Sequence, residues 1–189
     1  MATQHNDYYL PTGDLVLQVE DVLFKVHRHF LIQDSSVFRD MLNVPPEEGR
    51  PASEQRPIIL QGDSVQSWSL YFGLYYSRGP FYTGTPNLST EEMVAVLQVA
   101  HKYCMDKLQK DIVDFMTDSG YGTPQLVHLL VAARLIDDQE LEKLALTRLH
   151  AIRSPPTLEE ARMIGIEGMH SILEAVITAH RSSNRDYGF

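Results

Sequence analysis

The chain has 189 residues, 43% hydrophobic and 22% charged, a globular composition that excludes disordered, fibrous and collagen-like classes. Its formal charge of −9, from 25 acidic and 16 basic residues with no run of Lys or Arg, argues against direct nucleic-acid binding. A single cysteine, Cys104, excludes an intramolecular disulfide and a cysteine-built zinc site.

Residues 1–13 are polar and end in Leu10-Pro11-Thr12-Gly13, and they read as a loose tail, flexible over 1–10. No basic stretch precedes an apolar core there, so no signal peptide is expected. No apolar run approaches the roughly 20 residues that span a bilayer. The expectation is an intracellular chain without a membrane partner, with nucleus and cytoplasm both open.

The β-favouring runs Leu15–Val19 and Val22–Val26 flank acidic Glu20-Asp21, a hairpin pattern. From His29 to Asn43 the spacing turns helical through Phe30, Leu31, Val37, Phe38, Met41 and Leu42, and Asp34-Ser35-Ser36 can cap a helix starting near Val37. Val44–Pro57, rich in Pro, Glu, Gly and Ser, reads as an exposed loop. Ile58-Ile59-Leu60 reads as a third short strand. The aromatic stretch from Trp68 to Tyr76 has helical spacing and lacks basic neighbours, so it reads as buried core and not as a base-stacking platform.

Beyond the loop at Arg78–Leu88, Ser89 and Glu92 form a capping box ahead of Met93, Val96, Leu97 and Ala100. A further helix spans roughly Asp106 to Asp118. Ser119-Gly120-Tyr121-Gly122 breaks the chain, and all that follows reads as helical. Thr123-Pro124 opens one helix, Leu141, Leu144, Ala145 and Leu149 mark a second, and Thr157 with Glu160 caps a third. A last helix runs from Met169 to His180. The order predicts an α+β fold: a small, mostly three-stranded sheet covered by a helical cluster, then an all-α extension.

The segment Gly13-Asp14-Leu15-Val16-Leu17-Gln18-Val19 through Phe24-Lys25-Val26-His27-Arg28-His29-Phe30-Leu31, then Asp34-Ser35-Ser36-Val37-Phe38-Arg39-Asp40-Met41-Leu42, resembles the opening of a BTB/POZ domain. Ile58-Ile59-Leu60, the helix ending Leu74-Tyr75-Tyr76, and Val99-Ala100-His101-Lys102-Tyr103-Cys104-Met105 continue the resemblance. The C-terminal half, with Pro155-Pro156-Thr157-Leu158-Glu159-Glu160-Ala161-Arg162-Met163-Ile164-Gly165, is similar to the single-BTB proteins of mushroom-forming (basidiomycete) fungi. Together these cover roughly residues 11–181.

The resemblance implies a BTB/POZ domain over 11–118 and a helical extension over 119–189 packed on it. It also implies a non-enzymatic module that homodimerises and recruits other proteins. Asp14, His27 and Arg28 would form a charged pocket at the dimer interface, with Leu15, Leu17, Phe30, Val37 and Phe38 supplying apolar contact. The alternative function is a substrate adaptor of a cullin-RING ubiquitin ligase. A hydrophobic-x-Glu phrase at Val44, Pro45 and Glu47, together with Tyr76, would then touch the cullin, although Pro is a poor substitute for the large hydrophobe. Arg134, Glu140, Lys143, Arg148 and Arg162 are the exposed candidates for a partner contact on the extension.

A different class, an unrecognised hydrolase or metal enzyme, finds little support. His27 with His29, and His101 with Cys104, are at most half of a four-ligand zinc site. There is no nucleophile elbow, no phosphate-binding loop and no dinucleotide fingerprint; Gly120 and Gly122 fit a helix break. No cofactor, metal or catalytic residue is expected.

Overall fold

The structure, a computed structural model, describes residues 2–43, 56–76, 88–118, 122–151 and 156–185. The chain forms two compact units, Met1–Ile112 and Val113–Phe189.

The first unit is built on a four-stranded sheet. Strands β2 (Leu15–Val19) and β3 (Val22–Val26) form the expected antiparallel hairpin, in register from Leu15 opposite Val26 to Val19 opposite Val22. Glu20 turns the chain in the left-handed region at φ 52°, a conformation with a steric cost for any residue bearing a Cβ. The short β4 (Ile58–Ile59) lies parallel to β2, with Leu17 opposite Ile58.

The fourth strand corrects the reading of the N-terminus. Thr3–Tyr9 is not part of a loose tail: as β1 it runs parallel to β3, giving the order β1-β3-β2-β4. Thr3 pairs with Val22 and Gln4 with Leu23, but the next pair is Tyr9 with Lys25. The slack between them is taken up by His5. Its Nδ1 accepts the backbone N–H groups of Asp7 at 3.1 Å and Tyr8 at 3.2 Å, which the ladder has left unpaired. Its Nε2 reaches Ser69 Oγ at 2.9 Å, and its ring stacks on Phe24 at 4.7 Å between centroids.

Helices α1 (Arg28–Asp34), α2 (Ser36–Asn43), α3 (Val65–Tyr76) and α4 (Thr90–Lys102) complete the unit, with the first part of α5 (Asp106–Asp118). Ser35 closes α1 and opens α2: its Oγ accepts the Phe38 N–H at 3.0 Å and donates to the Tyr103 carbonyl. The expected capping box at Ser89 and Glu92 is formed at the start of α4. One core joins the sheet to these helices through Leu15, Leu17, Phe24, Leu31, Phe38, Trp68, Tyr71, Phe72 and Met105. Trp68 and Tyr71 find polar partners in Asp63 and Asp34, so the aromatic stretch is core whose polar tips are satisfied. Cys104, exposed and at φ 50°, makes the tight turn between α4 and α5.

The second unit contains the end of α5 and helices α6 (Thr123–Leu135), α7 (Gln139–His150) and α8 (Leu158–Arg185). Leu126, Leu129, Leu130, Leu141, Ala145, Leu149, Ile164 and Ile172 are buried. Thr157 and Glu160 bond each other's backbone N–H at 3.2 and 2.6 Å, the predicted capping box. Gly165, at φ 77°, interrupts α8, and Arg134 Nη1 donates to the carbonyls of Ile164 and Met163 at 2.7 and 3.4 Å. A Cβ on Gly168 would lie 2.7 Å from Ile164, so the two halves of α8 meet closely there.

Candidate interaction surface

The surface begins at the turn into β2. Gly13 approaches β3 so closely that a Cβ would sit 2.8 Å from the backbone of Lys25 and Val26. Next to it, Asp14 donates its N–H to the Val26 carbonyl at 3.0 Å, which fixes its carboxylate opposite the start of α1. His27, the N-cap of α1, makes no side-chain cap bond of its own. Asp14 does that work from 14 positions earlier: Oδ1 accepts the Arg28 backbone N–H at 2.8 Å. Arg28 Nε then donates to Oδ2 at 2.8 Å, and Nη2 to the Asp14 carbonyl at 3.3 Å. The side chains of Arg28 and Asp14 remain 39% and 49% exposed, so this is a half-open pair and not a buried one.

His27 joins a different group. Its backbone N–H donates to Tyr76 Oη at 2.9 Å, and its Nδ1 lies 3.1 Å from the same hydroxyl. The hydroxyl thus accepts from the backbone and shares a second hydrogen bond with the imidazole, in the direction set by the ring's tautomer. Burial raises the Tyr76 phenol above its ordinary range; the His27 N–H acts against this and the Asp14 charge adds to it. Phe30, half-buried, packs on Tyr75 at 4.9 Å and meets Tyr76 edge-on at 5.4 Å. Tyr71 and Tyr75 both donate their hydroxyls to Asp34 at the end of α1. Burial pushes the Asp34 carboxyl up, against the lowering effects of the Tyr71 hydroxyl and the Lys107 charge.

The apolar residues assigned to a dimer interface divide. Leu15, Leu17 and Phe38 lie in the core of the first unit and have no surface to offer while it keeps this fold. The position of β2, covered along Leu15, Val16 and Leu17, and the inward face of α2 account for this, and the sequence pattern alone does not separate an intrachain core from an interchain one. Phe30 is half-buried, whereas Val37 and Met41, one turn apart on α2, are 38% and 39% exposed. Met41 was not among the expected interface residues, although its i+4 spacing from Val37 marks it.

Val44, Pro45 and Glu47 lie outside the described residues. On the extension, two of the expected contact residues have internal partners. Arg134 pairs with Glu142 at 2.8 Å besides capping Ile164, and Arg148 donates to the Thr117 carbonyl at 2.8 Å. Among the described residues, no group of three or more His, Cys, Asp or Glu is placed to hold a metal ion, and no helix is long and apolar enough to cross a membrane.

No curated protein matches the chain. A family model described as BTB/POZ domain matches residues 10–120, more than half of the 189.

Proposed function

Because the chain belongs to the BTB/POZ domain family, whose members act in protein–protein interaction, we propose that it homodimerises through its first unit and recruits other proteins without catalysis. The observation that carries the reading is the half-open Asp14–Arg28 pair on a helix that also bears Phe30, followed by α2 with Val37 and Met41 exposed. Charged groups that retain solvent and apolar groups that retain exposure are the mixture a protein interface covers. In this reading Arg28, Phe30, Val37 and Met41 meet a second copy, and His27 with Tyr76 supports them from behind.

Light scattering at micromolar concentration is expected to give twice the 21.5 kDa chain mass. Val37→Glu combined with Met41→Glu should give the monomer mass with an unchanged circular dichroism spectrum. A parent chain that runs as a monomer overturns the reading.

The likeness of the C-terminal half to fungal single-BTB proteins points to the same mode of action. The narrower role of cullin-RING adaptor rests on Val44, Pro45 and Glu47, and on Tyr76, whose hydroxyl is already held by His27. Purified cullin retained on the immobilised chain would support it, and no retention would remove it.

A further inference from the structure

The ladder that joins β1 to β3 has a gap in its middle, and a titratable side chain fills it. Pairing stops at Gln4 with Leu23 and resumes at Tyr9 with Lys25. In between, the backbone N–H groups of Asp7 and Tyr8 turn to the Nδ1 of His5. A backbone N–H can only donate, so Nδ1 carries a lone pair and no proton. The other nitrogen agrees. Ser69 Oγ gives its one hydrogen to the Val65 carbonyl at 2.7 Å, so toward His5 Nε2 it can only accept. Contacts from β1 and from α3 thus fix the same neutral form of the ring, with its proton on Nε2.

This arrangement has no place for a second proton. An imidazolium would point an Nδ1–H at two N–H groups and leave all three donors without an acceptor. An Asn at the same position would make the same turn, because its carbonyl oxygen accepts from backbone N–H groups a few residues on and does not titrate. Histidine therefore adds a response to pH that the turn itself does not need. The ring is half-buried, which lowers its pKa, and the Asp7 charge partly opposes this. Of the elements packed on the ring, β1 brings Asp7 and the Tyr8 phenol, β3 the uncharged Phe24 and α3 the uncharged Ser69.

We propose that protonation of His5 releases β1 from β3 while the rest of the first unit stays folded, so that the sheet ends on β1 at neutral pH and on β3 in acid. Release withdraws Tyr8 from Phe72 and Tyr76, and it bares the outer backbone groups of Val22 to Lys25, an edge on which another strand can pair. Closure is complete above the ordinary imidazole range and erodes as pH falls through that range toward the lowered value. The proposed pairing through Arg28, Phe30, Val37 and Met41 does not use this strand, so the two stand apart.

The test follows the full chain by nuclear magnetic resonance. Long-range proton–nitrogen spectra at neutral pH should show His5 with its proton on Nε2, its signals identified by their loss in His5→Asn. From about pH 7 to about pH 5, the protection factors of the Asp7 and Tyr8 amides should fall about tenfold while those of β2 hold. His5→Asn should keep its neutral-pH protection across the same range. Asp7→Asn removes the charge that favours the imidazolium and should move the loss to lower pH. The proposal is overturned by a proton on Nδ1 at neutral pH, or by protection that stays constant while His5 titrates. It is equally overturned if His5→Asn loses protection as the parent does, if Asp7→Asn abolishes the loss, or if the β2 amides fall in parallel.

Discussion

Asp14 does two jobs, and they can be separated. Its Oδ1 caps the Arg28 N–H while its Oδ2 holds the guanidinium. A half-exposed ion pair is worth at most about 1 kcal/mol, and a lost helix cap about 1 kcal/mol. Asp14→Asn keeps an acceptor for the N–H and should shift the urea midpoint little. Asp14→Ala loses both contributions and should destabilise the first unit by about 1–2 kcal/mol. The larger cost of breaking a fully buried pair does not apply to side chains this open. At the end of the same helix, Asp34 has its carboxyl raised by burial. A carboxyl raised on folding binds its proton more tightly in the folded state. Its contribution is therefore complete below the ordinary carboxylate range and is lost as pH rises through the elevated value. Asp34→Asn, which can still accept from Tyr71, should flatten stability against pH across that window in chemical denaturation. An unchanged pH slope would disprove the assignment.

Most elements of the fold were legible because local chemistry marked them. Both capping boxes, at Ser89 with Glu92 and at Thr157 with Glu160, announced their helices, and the β-favouring runs on either side of acidic Glu20-Asp21 announced the hairpin. Strand β1 was not legible. Its sequence Thr-Gln-His-Asn-Asp-Tyr-Tyr lacks apolar alternation, and its ladder skips from Gln4 to Tyr9. What holds it is non-local: His5 reaching Ser69, 64 residues away, and stacking on Phe24. His5→Ala should therefore speed hydrogen exchange at the Asp7 and Tyr8 amides selectively, leaving those of β2 protected. Equal protection in the variant would show that the strand stands without the imidazole. Burial lowers the pKa of His5 and the Asp7 charge partly offsets this. Its contribution is thus present above the ordinary imidazole range and lost as pH falls through it toward the depressed value, so acid should loosen the same amides.

At the scale of the chain, the structure separates the residues that the family pattern grouped together. Asp14 and Arg28 sit where the family pattern implied and do touch, whereas Leu15, Leu17 and Phe38 fill the interior of the first unit. Hydrophobic pattern reports that a residue is covered, not by which chain, so only Phe30 and Val37 survive from that set as surface. The tight turn between α4 and α5 has a spectroscopic use. It carries the sole sulfhydryl of the sequence, and that group is exposed. A nitroxide attached to Cys104 marks every chain once and at the same place. A two-fold pair would then contain two identical spins and give a single narrow distance by pulsed dipolar resonance, a lone chain would give none, and a ring of four or more would give at least two. One thiol thereby becomes a ruler for the symmetry of the assembly.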